Sequence, residues 1–150
     1  DSLGLEVEGS WAISEDFYLH GALGLIDVDV DDPDAVAPLT PEMTLTLSPE
    51  YSYETVNGGT MAFRLDYSFR DDRSGEPNSD PGRFTKIDSR DLINVDISYT
   101  SPDERWTLGL YGRNITDERY ANAKLNVTDY ILTILSNDAS EFGIRYVNFF

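Results

Sequence analysis

The stretch "NGGTMAFRLDYSFR" (57–70) decides the fold, because its side chains alternate between apolar and polar from Met61 onward. A period of two residues puts the two sets on opposite faces of a β-strand. The Asn-Gly pair in front is a hairpin signal, since both residues tolerate a positive φ. The stretch therefore predicts an amphipathic strand entered through a tight turn. The apolar set is Met61, Phe63, Leu65, Tyr67 and Phe69, and the polar set is Arg64, Asp66, Ser68 and Arg70.

The same alternation recurs in further segments of the chain, at 3–14, 17–25, 43–53, 92–100, 105–115 and 141–150. The turns at 14–16, 56–59 and 101–105 are short, whereas the polar loops at roughly 30–41, 71–90 and 116–140 are long. Strands of about 10 residues with short turns at one end and long loops at the other are typical of an outer-membrane barrel. The predicted fold class is therefore all-β, an antiparallel transmembrane β-barrel.

The two faces of the predicted strands differ in chemistry. The apolar faces carry large side chains, with aromatic residues near both strand ends, as a band in contact with a bilayer requires. The opposite faces carry charges at mid-strand, which need water or a polar partner. We therefore expect the apolar face to contact lipid and the charged face to line a wet, plugged lumen. The aromatic residues are Trp11, Phe17, Tyr53, Trp106 and Phe150 beside the short turns, and Tyr67 and Phe69 toward the long loops.

The number of strands limits the architecture. The seven predicted strands are an odd number, whereas bacterial single-chain barrels have an even number. An open set of strands would also leave two unpaired edges, which lipid does not tolerate. The chain is therefore expected to be the C-terminal part of a larger barrel. Two alternatives stay open. Segment 125–135 could be an eighth strand that closes a small barrel with a structural or adhesive role, or the chain could be a soluble acidic β-sandwich with a binding or hydrolytic function.

Composition excludes several classes of function. The formal net charge is −17, with 28 acidic against 11 basic side chains, so nucleic acid is not an expected partner. There is no cysteine, so neither disulfides nor thiolate metal sites can form. No apolar run is long enough for a transmembrane helix. No signal peptide opens the chain, which begins as though cut from something longer.

Three polar features could indicate metal binding or catalysis, and each also has a simpler structural interpretation. The acidic loop 27–34 suggests calcium, but the EF-hand spacing fails, so a solvated loop that could recruit cations only weakly is favoured. His20 is the sole histidine, and the sequence offers no partners for a metal site or a catalytic triad. The strand carboxylates share a face with arginines and can pair with them instead of acting as acid and base. We therefore expect no catalysis, no cofactor and no metal.

The segment "WTLGLYGRNITDERY" (106–120) resembles the penultimate-strand signature of the TonB-dependent outer-membrane receptors. In that signature an apolar strand runs into Gly-Arg-Asn-Leu/Ile-Thr/Phe-Asp-x-x-Tyr. Segments 4–28 and 92–106 are similar to an earlier strand pair of the family and to the strand and periplasmic turn before the signature. The ending "FGIRYVNFF" (142–150) resembles the family's last strand with its C-terminal aromatic residue, although Asn148 departs from the apolar pattern.

This resemblance implies a function and a location. Family members are barrels of about 22 strands with an N-terminal plug, and they import ferric siderophores, cobalamin, haem or oligosaccharides with energy delivered by TonB. The resemblance implies that residues 1–150 are roughly the last seven strands of such a receptor in the bacterial outer membrane, without the plug and the earlier strands. The implied partners are the lipid bilayer, TonB, the plug, the barrel-assembly machinery and a small-molecule nutrient.

The resemblance and the face pattern together select candidate site residues. The candidates in the signature, together with Asp117, would either contact the ligand or form a hydrogen-bonded polar cluster that fixes the start of the long loop. We favour the second interpretation. The ligand- or plug-facing candidates are Arg64, Asp66, Arg70, Arg113, Asn114, Tyr120 and Arg145. The residues resembling the signal for the barrel-assembly machinery are Phe142, Ile144, Tyr146 and Phe150. The last strand is also expected to pair with the first strand of the barrel.

Overall fold

The computed structural model describes residues 1–32, 34–77, 85–128, 130–136 and 138–149. All the regular elements of these residues are strands: β1 (Ser2–Ala12), β2 (Phe17–Val28), β3 (Met43–Glu54), β4 (Thr60–Arg70), β5 (Arg73–Ser74), β6 (Lys86–Ile87), β7 (Arg90–Thr100), β8 (Trp106–Arg113), β9 (Ala121–Val127), β10 (Tyr130–Leu135) and β11 (Glu141–Asn148). No helix of the described residues is long and apolar enough to span a membrane.

The long strands form one antiparallel sheet of seven strands in the order β1-β2-β3-β4-β7-β8-β11. The predicted strands and their antiparallel pairing are therefore confirmed. Because each long strand pairs with the next one along the chain, all three short turns lie at one end of the sheet, the turn end. The three long connections lie at the other end, the loop end. The sheet is open, with β1 and β11 at its edges.

The alternative in which segment 125–135 is an eighth strand that closes a small barrel is wrong. This segment reverses direction and folds as the hairpin β9–β10, in which Tyr130 pairs with Val127, apart from the large sheet. The reversal includes Thr128, whose φ is +58°. A left-handed backbone conformation at a threonine is rare and has no sequence signal. The sequence pattern therefore suggests one continuous strand in place of a hairpin.

The register confirms that apolar and polar residues occupy opposite faces. Phe63, Ile97, Leu110 and Ile144 are successive partners across β4, β7, β8 and β11, and they form one apolar row. The neighbouring row on the other face runs from Glu50 through Arg64 and Asp96 to Tyr111. A slip of one residue in any strand would reverse its faces, so the alternation specifies the register.

The apolar face is not covered by a second layer of the described residues. Trp11 is 49% exposed, Phe63 36%, Leu108 44% and Ile144 73%. The described part of the chain also lacks the two large facing sheets of a sandwich, so the β-sandwich alternative is not supported. An exposed apolar surface of this extent marks an interaction surface, here one spread over a whole sheet.

Pro49 weakens the ladder between β3 and β4 without forming a bulge. The β3–β4 ladder lacks the pairs that Ser48 and Pro49 would make, but the register is the same on both sides of the gap. The proline has no N–H to donate, so the ladder is interrupted without an inserted residue. Ser48 is buried at this gap, and its hydroxyl donates to Asp66 Oδ1 at 2.6 Å.

Candidate ligand-binding site

The three long connections are joined to one another at the loop end. The loop after β2 donates from Val36 N to Pro77 O at 3.0 Å and from Leu39 N to Ser74 O at 2.8 Å. The third connection meets the second where Lys124 Nζ donates to Lys86 O at 2.6 Å. The first two loops are therefore joined by bonds between backbone atoms, whereas the second and third loops are joined through side chains.

Gly75 allows the closest approach between two of these loops. A Cβ at this position would overlap Lys124 O and would lie 2.9 Å from Thr85 O. Both obstacles are backbone atoms, which cannot rotate away as the end of a side chain can. The second connection therefore needs glycine here to pack against β9.

The signature segment forms a tight polar structure immediately after β8. Asn114, only 3% exposed with φ +43°, ends the strand. Its Nδ2 donates to the Glu118 and Asp138 carbonyls, and its Oδ1 accepts from Glu118 N at 2.9 Å. Its own N–H donates to Asn94 Oδ1 at 2.9 Å. Asn114 is thus directed into the base of the third loop.

Tyr120 and Asp138 extend this structure. The Tyr120 hydroxyl donates to the Asp138 carboxylate, and this hydrogen bond is the main cause that holds the pKa of Asp138 below its usual value. The Tyr120 backbone carbonyl accepts from Ser136 N at 2.9 Å. Asp117, with φ +51°, accepts from Ser140 N at 3.2 Å, which lowers the pKa of Asp117. Both ends of the third loop are therefore bonded together.

Three arginines meet beside this structure. Arg70 and Arg90 are direct partners at the loop-end limit of the β4–β7 ladder, and Arg73, which follows β4 closely, is 8% exposed. Burial, and then the charges of Arg70 and Arg90, lower the pKa of Arg73. The guanidinium carbon of Arg90 lies 3.9 Å from the centroid of the Tyr120 ring. We call Arg70, Arg73 and Arg90 the arginine cluster.

Sequence reasoning selected Arg70 but missed Arg73 and Arg90. All three lie at or near the two ends of the loop at 71–90, and the sequence pattern identifies this loop only as a polar connection. The signal that could have found them is the antiparallel pairing of β4 with β7, because it brings both ends of that loop together.

The remaining charged candidates lie on the polar face, with Arg113 at its loop end and the others nearer its middle. Arg64 binds Asp66 with Nη2 to Oδ1 at 2.9 Å, and its Nη1 lies 3.8 Å from Glu50. Arg145 binds Asp96 at 2.8 Å. Arg113 is exposed, with its guanidinium carbon 5.8 Å from the centroid of the Tyr111 ring. His20, on the same face, has Nδ1 2.8 Å from Ser10 Oγ.

The candidates at the end of the chain lie on the edge strand β11. Phe142, Ile144 and Tyr146 are 69%, 73% and 63% exposed on the apolar face. Phe150 lies outside the described residues. Asn148 pairs with Trp106 on the apolar face, where the sequence pattern expects an apolar residue.

A cavity of about 470 Å³ opens between the first two long loops. Its lining combines Arg73 with carboxylates from Asp27, Asp29, Asp32, Glu42 and Asp72. Within the described residues, no group of three or more His, Cys, Asp or Glu side chains comes together as a metal site would require. The acidic loop, whose Pro33 is outside the described part, therefore lines a cavity without gathering its carboxylates around one point.

Comparison with solved structures relates this arrangement to a known protein. The chain is similar to the crystal structure of the ferric yersiniabactin uptake receptor FyuA from Yersinia pestis, with a TM-score of 0.80 and 15% identity over 99% of this chain. It has the fold of a segment of an uptake-receptor barrel. The expected likeness to TonB-dependent receptors is thereby confirmed at the level of the fold.

The matched segment spans 23% of the length of that receptor. The all-β fold class is confirmed, and the open sheet corresponds to part of a larger barrel. No family model and no curated protein matches the chain. The likeness is to a receptor rather than to an enzyme.

Proposed function

We propose that this chain is the C-terminal segment, residues 1–150, of a TonB-dependent receptor in the bacterial outer membrane. Two observations carry the proposal. The fold of 99% of the chain matches that of an uptake receptor, and the apolar face of the sheet is not covered by a second layer of the described residues. Lipid is the medium that such a face fits, because burying apolar side chains in hydrocarbon needs no partner layer of protein.

The receptor takes up a scarce nutrient, such as a ferric siderophore, cobalamin, haem or an oligosaccharide. Its ligand binds at the loop end, where the three joined loops and the arginine cluster lie, together with parts of the protein outside this chain. The polar face, with its Arg64–Asp66 and Arg145–Asp96 pairs, faces an N-terminal plug. TonB supplies the energy for passage, so the mechanism is binding and plug rearrangement rather than bond chemistry.

The last strand has two roles in this proposal. The barrel-assembly machinery reads its exposed aromatic and aliphatic residues Phe142, Ile144 and Tyr146, followed by Phe150. The free edge of β11 pairs with the first strand of the barrel, since an unpaired edge in lipid leaves backbone groups without hydrogen bonds.

The test uses the complete protein that carries this chain. Its gene is deleted and restored in its host, and cells are supplied with radiolabelled ferric siderophores, cobalamin or haem at nanomolar levels. Uptake of one of these that depends on the gene and stops when TonB is removed supports the proposal. Recovery of the protein in the soluble fraction, or uptake unchanged by loss of TonB, contradicts it.

A further inference from the structure

The arginine cluster is positively charged, and none of its three members forms an ion pair within the described residues. We propose that Arg70, Arg73 and Arg90 bind the oxyanion of a small-molecule ligand, a carboxylate or a phosphate group. The inference deepens the proposed function, on which it rests for the assumption that the oxyanion belongs to the nutrient taken up.

The first argument is the pairing of like charges. Arg70 and Arg90 are direct cross-strand partners on the polar face, where opposite side chains have their Cβ atoms about 5 Å apart. Like charges in this relation destabilise a sheet, and a buried third guanidinium adds to the repulsion. The arrangement is favourable once an anion lies among the three charges.

The second argument is the absence of acceptors. Arg73 is 8% exposed, and its Nη1 is buried with no hydrogen-bond acceptor among the described residues; the Nη1 of Arg90 is also buried without such an acceptor. A buried charged donor without an acceptor is costly. An oxyanion supplies both the acceptors and the opposite charge, and the planar guanidinium fits a carboxylate or phosphate with two parallel hydrogen bonds.

The third argument is that two of the arginines are already positioned. Arg90 stacks on the ring of Tyr120, whose hydroxyl is held by Asp138. Arg73 donates from Nη2 to Asn122 O at 3.3 Å. Side chains held in place before binding lose less entropy when the ligand arrives. Tyr120 is therefore a positioning residue for Arg90.

Access and ligand class follow from the surroundings. Arg73 lines the cavity of about 470 Å³ whose other charged lining residues are carboxylates. These repel a polyanion but accept hydrogen bonds from hydroxyl or ammonium groups. A ligand in this cavity therefore presents a single oxyanion at Arg73, the member of the arginine cluster that lines it, and hydrogen-bond donors to the carboxylates.

The experiment uses the complete protein in a neutral detergent, titrated with inorganic phosphate or with acetate at constant ionic strength set by chloride. The readouts are saturable binding and the thermal unfolding midpoint. We compare the unsubstituted protein with Arg70→Gln, Arg90→Gln and Arg73→Lys. Arg73→Lys keeps the positive charge but loses the planar guanidinium that can donate two parallel hydrogen bonds. Arg119→Gln is the matched control, because this exposed arginine at the loop end pairs with Asp117 instead.

Saturable binding of phosphate, acetate or both is expected for the unsubstituted protein and for Arg119→Gln. Each cluster substitution should weaken it about tenfold or more, as expected for the loss of a charge-assisted hydrogen bond. In the absence of anion, Arg70→Gln should raise the unfolding midpoint, because it relieves repulsion. An arginine with only a structural role would lower the midpoint instead.

Three results would overturn the inference: no saturable binding of either anion by the unsubstituted protein, equal weakening in Arg119→Gln, or a lowered anion-free midpoint in Arg70→Gln. Nutrient uptake by cells is measured separately. TonB-dependent uptake without anion binding would contradict this inference but not the proposed function. Anion binding without TonB-dependent uptake would contradict the proposed function but not the anion-binding site.

Discussion

Arg145 on β11 reaches over β8 to Asp96 on β7, so that its Nη2 lies 2.8 Å from the Asp96 carboxylate. Gly109 makes this possible, because it is the direct partner of Arg145 and has no side chain in the path. A Cβ at Gly109 would lie 3.6 Å from Arg145 Nη2, an ordinary contact, whereas a larger side chain would block the path.

We therefore expect Gly109→Ala to preserve this ion pair and Gly109→Leu to break it. Because Arg145 and Asp96 are 53% and 30% exposed, a double-mutant cycle with Arg145→Met and Asp96→Asn should give a coupling of about 0.2–1 kcal/mol. The measurement is urea unfolding in lipid vesicles. The coupling should vanish in the Gly109→Leu background, and a coupling that persists there would contradict the proposed path.

The assignment of the apolar face to lipid predicts an asymmetry between two substitutions on the same strand. Leu65 lies at the middle of β4 on the apolar face, and Ser68 lies on the polar face. Leu65→Arg should lower the free energy of unfolding in vesicles by about 2–4 kcal/mol, the cost of a cation at the bilayer midplane. Ser68→Arg serves as the control and should cost much less. Equal losses for both would reject a lipid-facing apolar side.

Gly75 predicts a change confined to the loops. Gly75→Ala would place a Cβ in overlap with Lys124 O, so the second and third loops must separate. We expect faster protease cleavage within 71–90 and 114–140, with the unfolding of the sheet unchanged. Gly109→Ala, where the new Cβ has room, is the control. Cleavage of Gly75→Ala at the unsubstituted rate would show that the loops are not held by this contact.

Asp138 predicts loosening of the third loop in acid. Its folded-state pKa lies below the unfolded value, chiefly because it accepts from Tyr120. Such a carboxylate stabilises the folded loop above the unfolded pKa of about 3.9, and the stabilisation is lost as the pH falls through the lower, folded pKa. A nitroxide on Leu132→Cys should therefore become more mobile below about pH 4.

The matched variant for this prediction is Asp138→Asn, which cannot titrate. Its nitroxide mobility should already be raised at neutral pH and should depend less on pH. An identical acid transition in Asp138→Asn would assign the loosening to another group, such as Asp117, whose pKa is also lowered.

The large sheet is predictable from the sequence, and much of the loop end is not. The alternation in segments such as 60–70 sets both the strands and their faces, because burial on one side permits a single register. The hairpin β9–β10 escapes prediction, since its turn includes Thr128 in a left-handed conformation instead of glycine. Helix and strand periodicities carry no information about such a turn.

The arginine cluster escapes prediction for a different reason. Arg73 and Arg90 are 17 positions apart in the sequence, and the segment between them has no strand periodicity. Only the pairing of β4 with β7 and the packing of the loops bring them beside Arg70. The burial of Arg73 depends on tertiary contacts that a local pattern does not encode.

The open sheet has a consequence for how such a segment reaches its final state. Its edge strands, β1 and β11, each have backbone amide groups on one side that no neighbouring strand of the sheet pairs with. The two edge strands lie near opposite ends of the sequence. In hydrocarbon each orphaned amide costs several kcal/mol. Under the proposed function, insertion into the bilayer and pairing of both edge strands must therefore occur together, and a separated fragment would associate with its own copies edge to edge.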